Sequence, residues 1–477
     1  MNPESNDMMK EPADILPEGL NGAGIMDSVS GTDGEQNAES VSGTDGLRSS
    51  DGARNTDLAK MPDTMNKPAV PDVTEYPPEK KKRKLFGPLR FFFQHWFVHL
   101  WLLLDLAGLG YYFYYRDDRE KMNALAENYT RPIQAKLGQW SSQISFSVME
   151  VLAVALAFLV IAFLFWSLIS VLADKGRRLH RLYSNLMTAV CFAGFLAAAG
   201  LLLWGTNFRT DNFQDKSGLR AQPVSAENLK TVTTYFARAL SYVSTSVDRD
   251  AAGRFAVPRE TILAEAPEVY DNAETSFPCL AFDDVGVKPM TFSRLMSAMD
   301  FTGFYCSYTG EANVNVDSPA CLLPSTCAHE MAHQRGFASE QECNFLAVLA
   351  CVTSGKPDYV YSGYLMGYIY LGNALYAADP DAYWSIRQRL PENVVSDLSQ
   401  NNTYWDQFRG TKIQEVSNEV YDKLLKTYGD ERGMQSYGDM VDLLVAYWLP
   451  ALQATGEAET AEEAAVETAE TAAEGTA

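Results

Sequence analysis

Five histidines occur in 477 residues, and two of them fall in one pentapeptide, His329-Glu330-Met331-Ala332-His333. Residues four apart on a helix share a face, so both imidazoles can reach one zinc ion while Glu330 projects beside them toward a metal-bound water. At the chain's own His and Glu frequencies, this HExxH pattern arises by accident with a probability on the order of 0.003. The alternative is a solvated helix that happens to carry these residues. The chemistry indicated is metal-assisted hydrolysis: zinc acidifies water and polarises a carbonyl, and Glu330 takes the water proton and passes it to the leaving amine.

The flanking residues predict the elements that would hold this pentapeptide. Ser325 and Thr326 follow Pro324 and read as hydroxyl caps opening a helix over 325–335. Gly336, three residues past His333, suits a sharp helix-ending turn. Ser339-Glu340-Gln341-Glu342 then has the form of a capping box that starts a second helix. Catalytic zinc takes three protein ligands and leaves one position open, so a carboxylate soon after the turn is required. Glu340 and Glu342 compete for that role. If Glu342 reaches back to cap its own helix, Glu340 is free for the metal, which favours Glu340. Asn344 lies one turn beyond Glu340 and is placed to orient a ligating histidine.

HExxH followed by ExxxN, carried here by His329, Glu330, His333, Glu340 and Asn344, resembles the glutamate-ligand zinc metallopeptidases, the gluzincin group of the zincins. The resemblance implies Glu340 as ligand and Asn344, in place of the usual Asp, as the residue orienting a histidine. It also implies a group that stabilises the oxyanion. No further histidine follows His333, so Tyr361, Tyr364, Tyr368 and Arg335 are the candidates, with a core or groove-lining role as the alternative for the tyrosines. Gly303–Val316 reads as strand, turn, strand about Thr309-Gly310, with an edge that could pair with an extended peptide, as in zincins. Glu311 reads equally well as a surface turn residue.

Further helical periodicity covers 228–244, 261–266, 291–299, 339–354, 361–376 and 414–428, predicting a mostly helical α+β domain over 209–456. It holds six of the seven cysteines, and disulfides and buried thiols are both compatible with that count.

Upstream lie three long apolar runs, 91–115, 151–172 and 186–204, each long enough to cross a ~30 Å hydrocarbon core. Asp105 in the first run should face a helix bundle, toward His95 or His99, whose four-residue spacing fits a polar contact better than a metal pair. Lys80–Lys84 precede the first run, and Lys175, Arg177, Arg178 and Arg181 join the second to the third. By the positive-inside rule both clusters are cytoplasmic, so 209–456 falls outside.

Net charge sharpens this division. The formal −22 is mostly tail: residues 1–78 carry 15 acids and 5 bases, and residues 457–477 carry seven Glu and no base. Both tails lack apolar periodicity and read as disordered. A pI of about 4.7 with no basic face argues against a nucleic-acid partner.

The order of three spans, TGEANVN at 309–315, HEMAHQRGFASEQECNFLA at 329–347 and SYGDMVDLL at 436–444 is similar to a family of bacterial membrane proteins catalogued as domain of unknown function 3810. The likeness covers about 90–456. The chain is therefore expected to comprise a cytoplasmic tail with a basic end (1–84), a three-helix transmembrane anchor (85–208), an extracytoplasmic zincin-like domain (209–456) and an acidic tail (457–477). The expected activity is zinc-dependent peptide hydrolysis in the cell envelope, with the lipid bilayer and a peptide or protein substrate as partners. A non-catalytic envelope binding or sensory protein with a structural or vestigial zinc site is the alternative. An intramembrane protease is disfavoured, because His329 lies more than 120 residues past the last apolar run.

Overall fold

Three apolar helices, α1 (Trp96–Tyr115), α4 (Val148–Ala173) and α5 (Arg178–Leu203), are long and apolar enough to cross a membrane. They belong to a computed structural model that describes residues 94–428 and 437–455. The two tails, the Lys80–Lys84 cluster, the first three residues of the 91–115 run and Ser436 lie outside the described residues. α1 packs along α5, where Asp105 is buried against Gly194. A Cβ at residue 194 would come within 3.0 Å of that carboxylate. His99 instead meets the Tyr183 hydroxyl at 2.6 Å, so the expected Asp105 to histidine contact is replaced by contacts to α5.

The segment joining α1 to α4 forms two helices, α2 (Arg119–Leu125) and α3 (Arg131–Ser141), separated by a π-helical turn. They wrap the end of α5: Thr130 Oγ1 donates to the Leu202 carbonyl and Gln134 Nε2 to that of Leu203. These donors serve carbonyls that a helix terminus leaves without internal partners. Described residues from Gly205 onward pack against these helices and against the ends of α4 and α5.

That part is mostly helical around one small sheet, as the periodicity predicts. Strands β1 (Val287–Pro289), β2 (Gly303–Cys306) and β3 (Glu311–Val314) lie in the order β1-β3-β2. β2 and β3 form the expected antiparallel hairpin, and Gly310 in its turn has φ of +69°. β1, unforeseen in the sequence, adds in parallel to the other edge of β3.

The core is a stack of helices: α8 (Leu323–Gln334), α9 (Glu340–Thr353) and α10 (Pro357–Ala378) pack in sequence, with α7 (Ala226–Val243) and α12 (Tyr437–Thr455) closing around them. α11 (Lys412–Tyr428) lies nearer the long helices. Seven described α-helices escaped the sequence reading: α2, α3, 213–217, 271–276, 380–387, 392–406 and α12. All seven cysteines are free thiols, six of them buried, so the disulfide option is not taken.

The hairpin is fastened to α4 by buried carboxylates. Glu311 accepts from the backbone N–H groups of Val148 (3.0 Å) and Met149 (2.8 Å) and from Lys288 Nζ at 2.5 Å. It is 2% exposed, which corrects the reading as a surface turn residue. A carboxylate at a helix N-terminus satisfies donors that the helix cannot. Glu150 reciprocates from α4, accepting from the backbone of Thr291 and Phe292 at 2.8 Å each.

Candidate metal centre

α8 begins two residues before the expected start, with Pro324 in its first turn. Ser325 and Thr326 return their hydroxyls to the Leu322 carbonyl rather than capping the helix. The helix ends as its sequence indicates. Gly336 takes φ of +84°, its N–H donates to the His333 carbonyl, and the Phe337 N–H reaches back to Ala332. Only a residue free of Cβ strain turns this way cheaply, and a Cβ there would also meet Arg131 Nε at 3.0 Å.

This turn brings the start of α9 back over α8. Glu340 Oε2 lies 3.2 Å from His329 Nε2, and Oε1 lies 3.6 Å from His333 Nε2. One ligand atom from each of His329, His333 and Glu340 falls within 4.8 Å of the others. Ligands at 2.0–2.1 Å around a tetrahedral zinc stand roughly 3.3 Å apart, a spacing these two distances bracket.

The tautomers explain why a cation suits this place. His333 Nδ1 is 2.8 Å from the Phe337 carbonyl, which can only accept, so Nδ1 carries the proton and donates. On neutral His333, Nε2 then presents a bare lone pair to the Glu340 carboxylate. Two acceptors facing each other require positive charge between them. Burial opposes a charge on His333, but the Cys343 thiol and the Glu340 carboxylate outweigh it and hold its pKa well above the usual imidazole value. Burial likewise opposes the charge on Glu340, yet His333 and His329 keep it well below the ordinary carboxylate range. The anion at this position calls for an imidazolium or a metal ion, and the donor set fits zinc.

Glu342, the competing ligand, points elsewhere. It accepts from the backbone N–H groups of Phe213 (2.9 Å) and Gln214 (3.1 Å), capping α6 (Phe213–Ser217). It is therefore neither a ligand nor the cap of its own helix, and Ser339 makes no side-chain cap bond either. Asn344 donates to the Tyr370 hydroxyl at 3.0 Å. The orienting contact foreseen for it is not made, since His333 is held by Phe337 and His329 Nδ1 is buried without a hydrogen-bond partner.

The oxyanion candidates are also redirected. Arg335 is buried on the far side of α8, bonded to the Leu280 carbonyl and to Asp284 and Glu274, with its guanidinium 3.7 Å over the Tyr270 ring. Tyr361 donates to Asp397, Tyr364 packs on Tyr235 and Phe236, and Tyr368 is in the core. None of the four lines the cavity.

The cavity in front of His329, Glu330, His333 and Glu340 measures about 260 Å³. Its phenols are Tyr305, Tyr308, Tyr421 and Tyr428. Tyr421, on α11, donates to Glu340 Oε1 at 2.5 Å, a partner that lies 81 residues away in sequence. Glu330 is 3% exposed, and its Oε2 is buried without a hydrogen-bond partner. Burial pushes its carboxyl up to about 7, His329 and His333 pull it down, and Glu340 adds to the rise. A carboxylate that exchanges a proton near neutral pH is what a general base requires.

No curated protein and no solved structure matches the chain. The model of one family, described as "Protein of unknown function (DUF3810)", matches residues 126–445, two thirds of the sequence, with His329, Glu330, His333 and Glu340 inside the match. The chain belongs to that DUF3810 family.

Proposed function

We propose that the protein is a membrane-anchored zinc metallopeptidase acting at the outer face of the membrane. The observation that carries this reading is the convergence of His329, His333 and Glu340 on one point, with Glu330 in the same cavity wall. These three side chains would hold the metal, in the manner the likeness to the zincins implies, and leave a position open. When bound, zinc would supply Lewis acidity toward a substrate carbonyl and acidify the attacking water. Glu330 takes the proton from that water and returns it to the departing amine. Phe337 fixes the His333 ring through its carbonyl, and Tyr421 fixes Glu340. Among the described residues β2 pairs with β3 alone, so its other edge is open to an extended peptide beside the cavity. The outward placement rests on the two basic clusters and the positive-inside rule.

A structural zinc site takes four protein ligands, whereas three such donors converge among the described residues. This favours catalysis over the binding or sensory alternative. The test is metal analysis of the detergent-solubilised full chain, with wild type and Glu330→Gln assayed on a peptide library. One zinc per chain in both and cleavage only by wild type is expected. Zinc without Glu330-dependent cleavage removes the peptidase reading, and absence of zinc removes both readings.

A further inference from the structure

The mouth of the cavity stands at the level where α5 leaves its apolar stretch. Residues 182–203 carry no charged side chain and extend roughly 33 Å, enough to fill a ~30 Å hydrocarbon core as far as Leu203. Tyr308, in the cavity lining, donates its hydroxyl to the Leu196 carbonyl at 2.8 Å. That carbonyl lies roughly 10 Å before the end of the helix. Tyr428, the last residue of α11, stacks on Phe208 at 5.4 Å and brings its hydroxyl close to Gly200. Trp204 caps α5, where interfacial tryptophans concentrate, and meets His333 edge-on at 5.5 Å. The metal centre is thus one ring away from the end of a membrane-length helix.

α11 carries a second sign of the same surface. Ile413, Val416, Val420 and Leu424 recur at spacings of three and four, and they are 54%, 60%, 61% and 45% exposed. They make one apolar stripe, and its last member, Leu424, also lines the cavity. The charges of the helix flank this stripe along one side, where Lys423 pairs with Glu419 and Lys426 with Asp422. An exposed apolar stripe beside a charged face is the pattern of a helix lying in a membrane interface. The stripe is continuous, through Leu424 and Tyr428, with the end of α5.

We propose that α11 is seated in the leaflet facing the folded domain, and that the cavity takes a peptide segment of a membrane-anchored polypeptide at the point where it emerges from that leaflet. The substrate class rests on the metallopeptidase reading; the seating of α11 does not. Cavity walls built of Trp204, Phe301, Phe304 and Tyr305 suit the apolar and aromatic side chains found where a chain leaves the bilayer. A fully hydrated, charged peptide would lose water there for little return.

Two measurements on the full chain in proteoliposomes test this. Nitroxide labels are placed at Val420→Cys and Lys426→Cys, with Cys279→Ser to silence the half-buried thiol. Residue 420 is expected to be more accessible to oxygen than to a water-soluble nickel chelate, and residue 426 the reverse. Equal chelate access at both overturns the seating of α11. The second measurement uses a fluorogenic peptide library fused to a single transmembrane helix, with the cleavable segment either next to the bilayer or about 25 residues from it on a flexible linker. Both forms have the same membrane concentration, so at least 10-fold faster cleavage of the near segment supports the substrate class. Equal rates overturn it while leaving the peptidase reading in place. Cleavage of neither by wild type overturns the peptidase reading and the substrate class with it, and the labels still decide where α11 lies.

Discussion

A Cβ placed on Gly303 would lie 2.5 Å from Oε1 of Glu330 and 2.8 Å from its Cγ. Strand β2 and the Glu330 carboxylate therefore occupy adjoining space that only glycine leaves open. Gly303→Ala must displace either the strand or the carboxylate, and a displacement of an ångström at a reacting group can cost about 100-fold in rate. We expect a loss of that order in kcat with zinc content unchanged, measured on the same preparation. Retained activity would mean that Glu330 is not positioned by this strand.

The division of labour between Glu340 and Glu342 gives a second expectation. Glu340→Gln should release the metal, read as zinc per chain after dialysis. Glu342→Gln should keep it, but weaken the two backbone bonds that cap α6, at a stability cost of about 1.5–3 kcal/mol for charge-assisted bonds. Metal loss from Glu342→Gln alone would reverse the ligand assignment.

Tyr421→Phe removes one hydrogen bond to Glu340 and nothing else from the ligand set. Groups that orient a metal ligand are typically worth about 10- to 100-fold in affinity. Competition with a chelator should show a weakening in that range. An unchanged zinc affinity would make the phenol a wall of the cavity only.

Glu311→Gln tests the fastening of the hairpin to α4. It leaves Lys288 buried without its carboxylate, and breaking one side of a buried ion pair costs about 3–5 kcal/mol. Thermal scans in detergent should register a large drop. Glu311→Gln with the stability of wild type would show that the pair does not hold the two parts together.

A pH dependence follows from Asp358 in the first turn of α10. Burial and the nearby Glu265 raise its pKa to about 6, against an ordinary 3.8. A raised folded-state value means that the native state binds the proton more tightly, so its contribution to stability is full below about 3.8 and is lost as pH rises through 6. The melting midpoint should fall between pH 5 and pH 7.5 by more in wild type than in Asp358→Asn. Equal slopes would remove Asp358 as the cause.

Much of the site could be read from a local pattern. HExxH sets two histidines and a glutamate side by side because helical spacing alone brings them together, and Gly336 marks the turn because only glycine takes that backbone cheaply. The sequence favours Glu340 over Glu342 only if Glu342 caps its own helix, whereas Glu342 caps α6. The tyrosines of α10 were misleading for a related reason: their helical spacing describes a face, and the packing of α7 turned that face into core. A glycine packed against a glutamate far along the chain leaves no mark in sequence, and Gly303 reads there only as the start of a strand.

The sequence by itself determined the three apolar helices, the hairpin and the pairing of two histidines with a glutamate, since each follows from spacing within one element. Only the tertiary structure decided which carboxylate faces the histidines, which carbonyl holds His333, which phenol reaches Glu340 and how near the cavity lies to the end of α5. Those relationships join residues far apart in sequence, such as Glu342 and Phe213, which are 129 positions apart, and no periodicity along the chain encodes them. They are set when buried polar groups take the partners that packing brings within reach, because leaving such groups unpaired costs more than any local preference supplies.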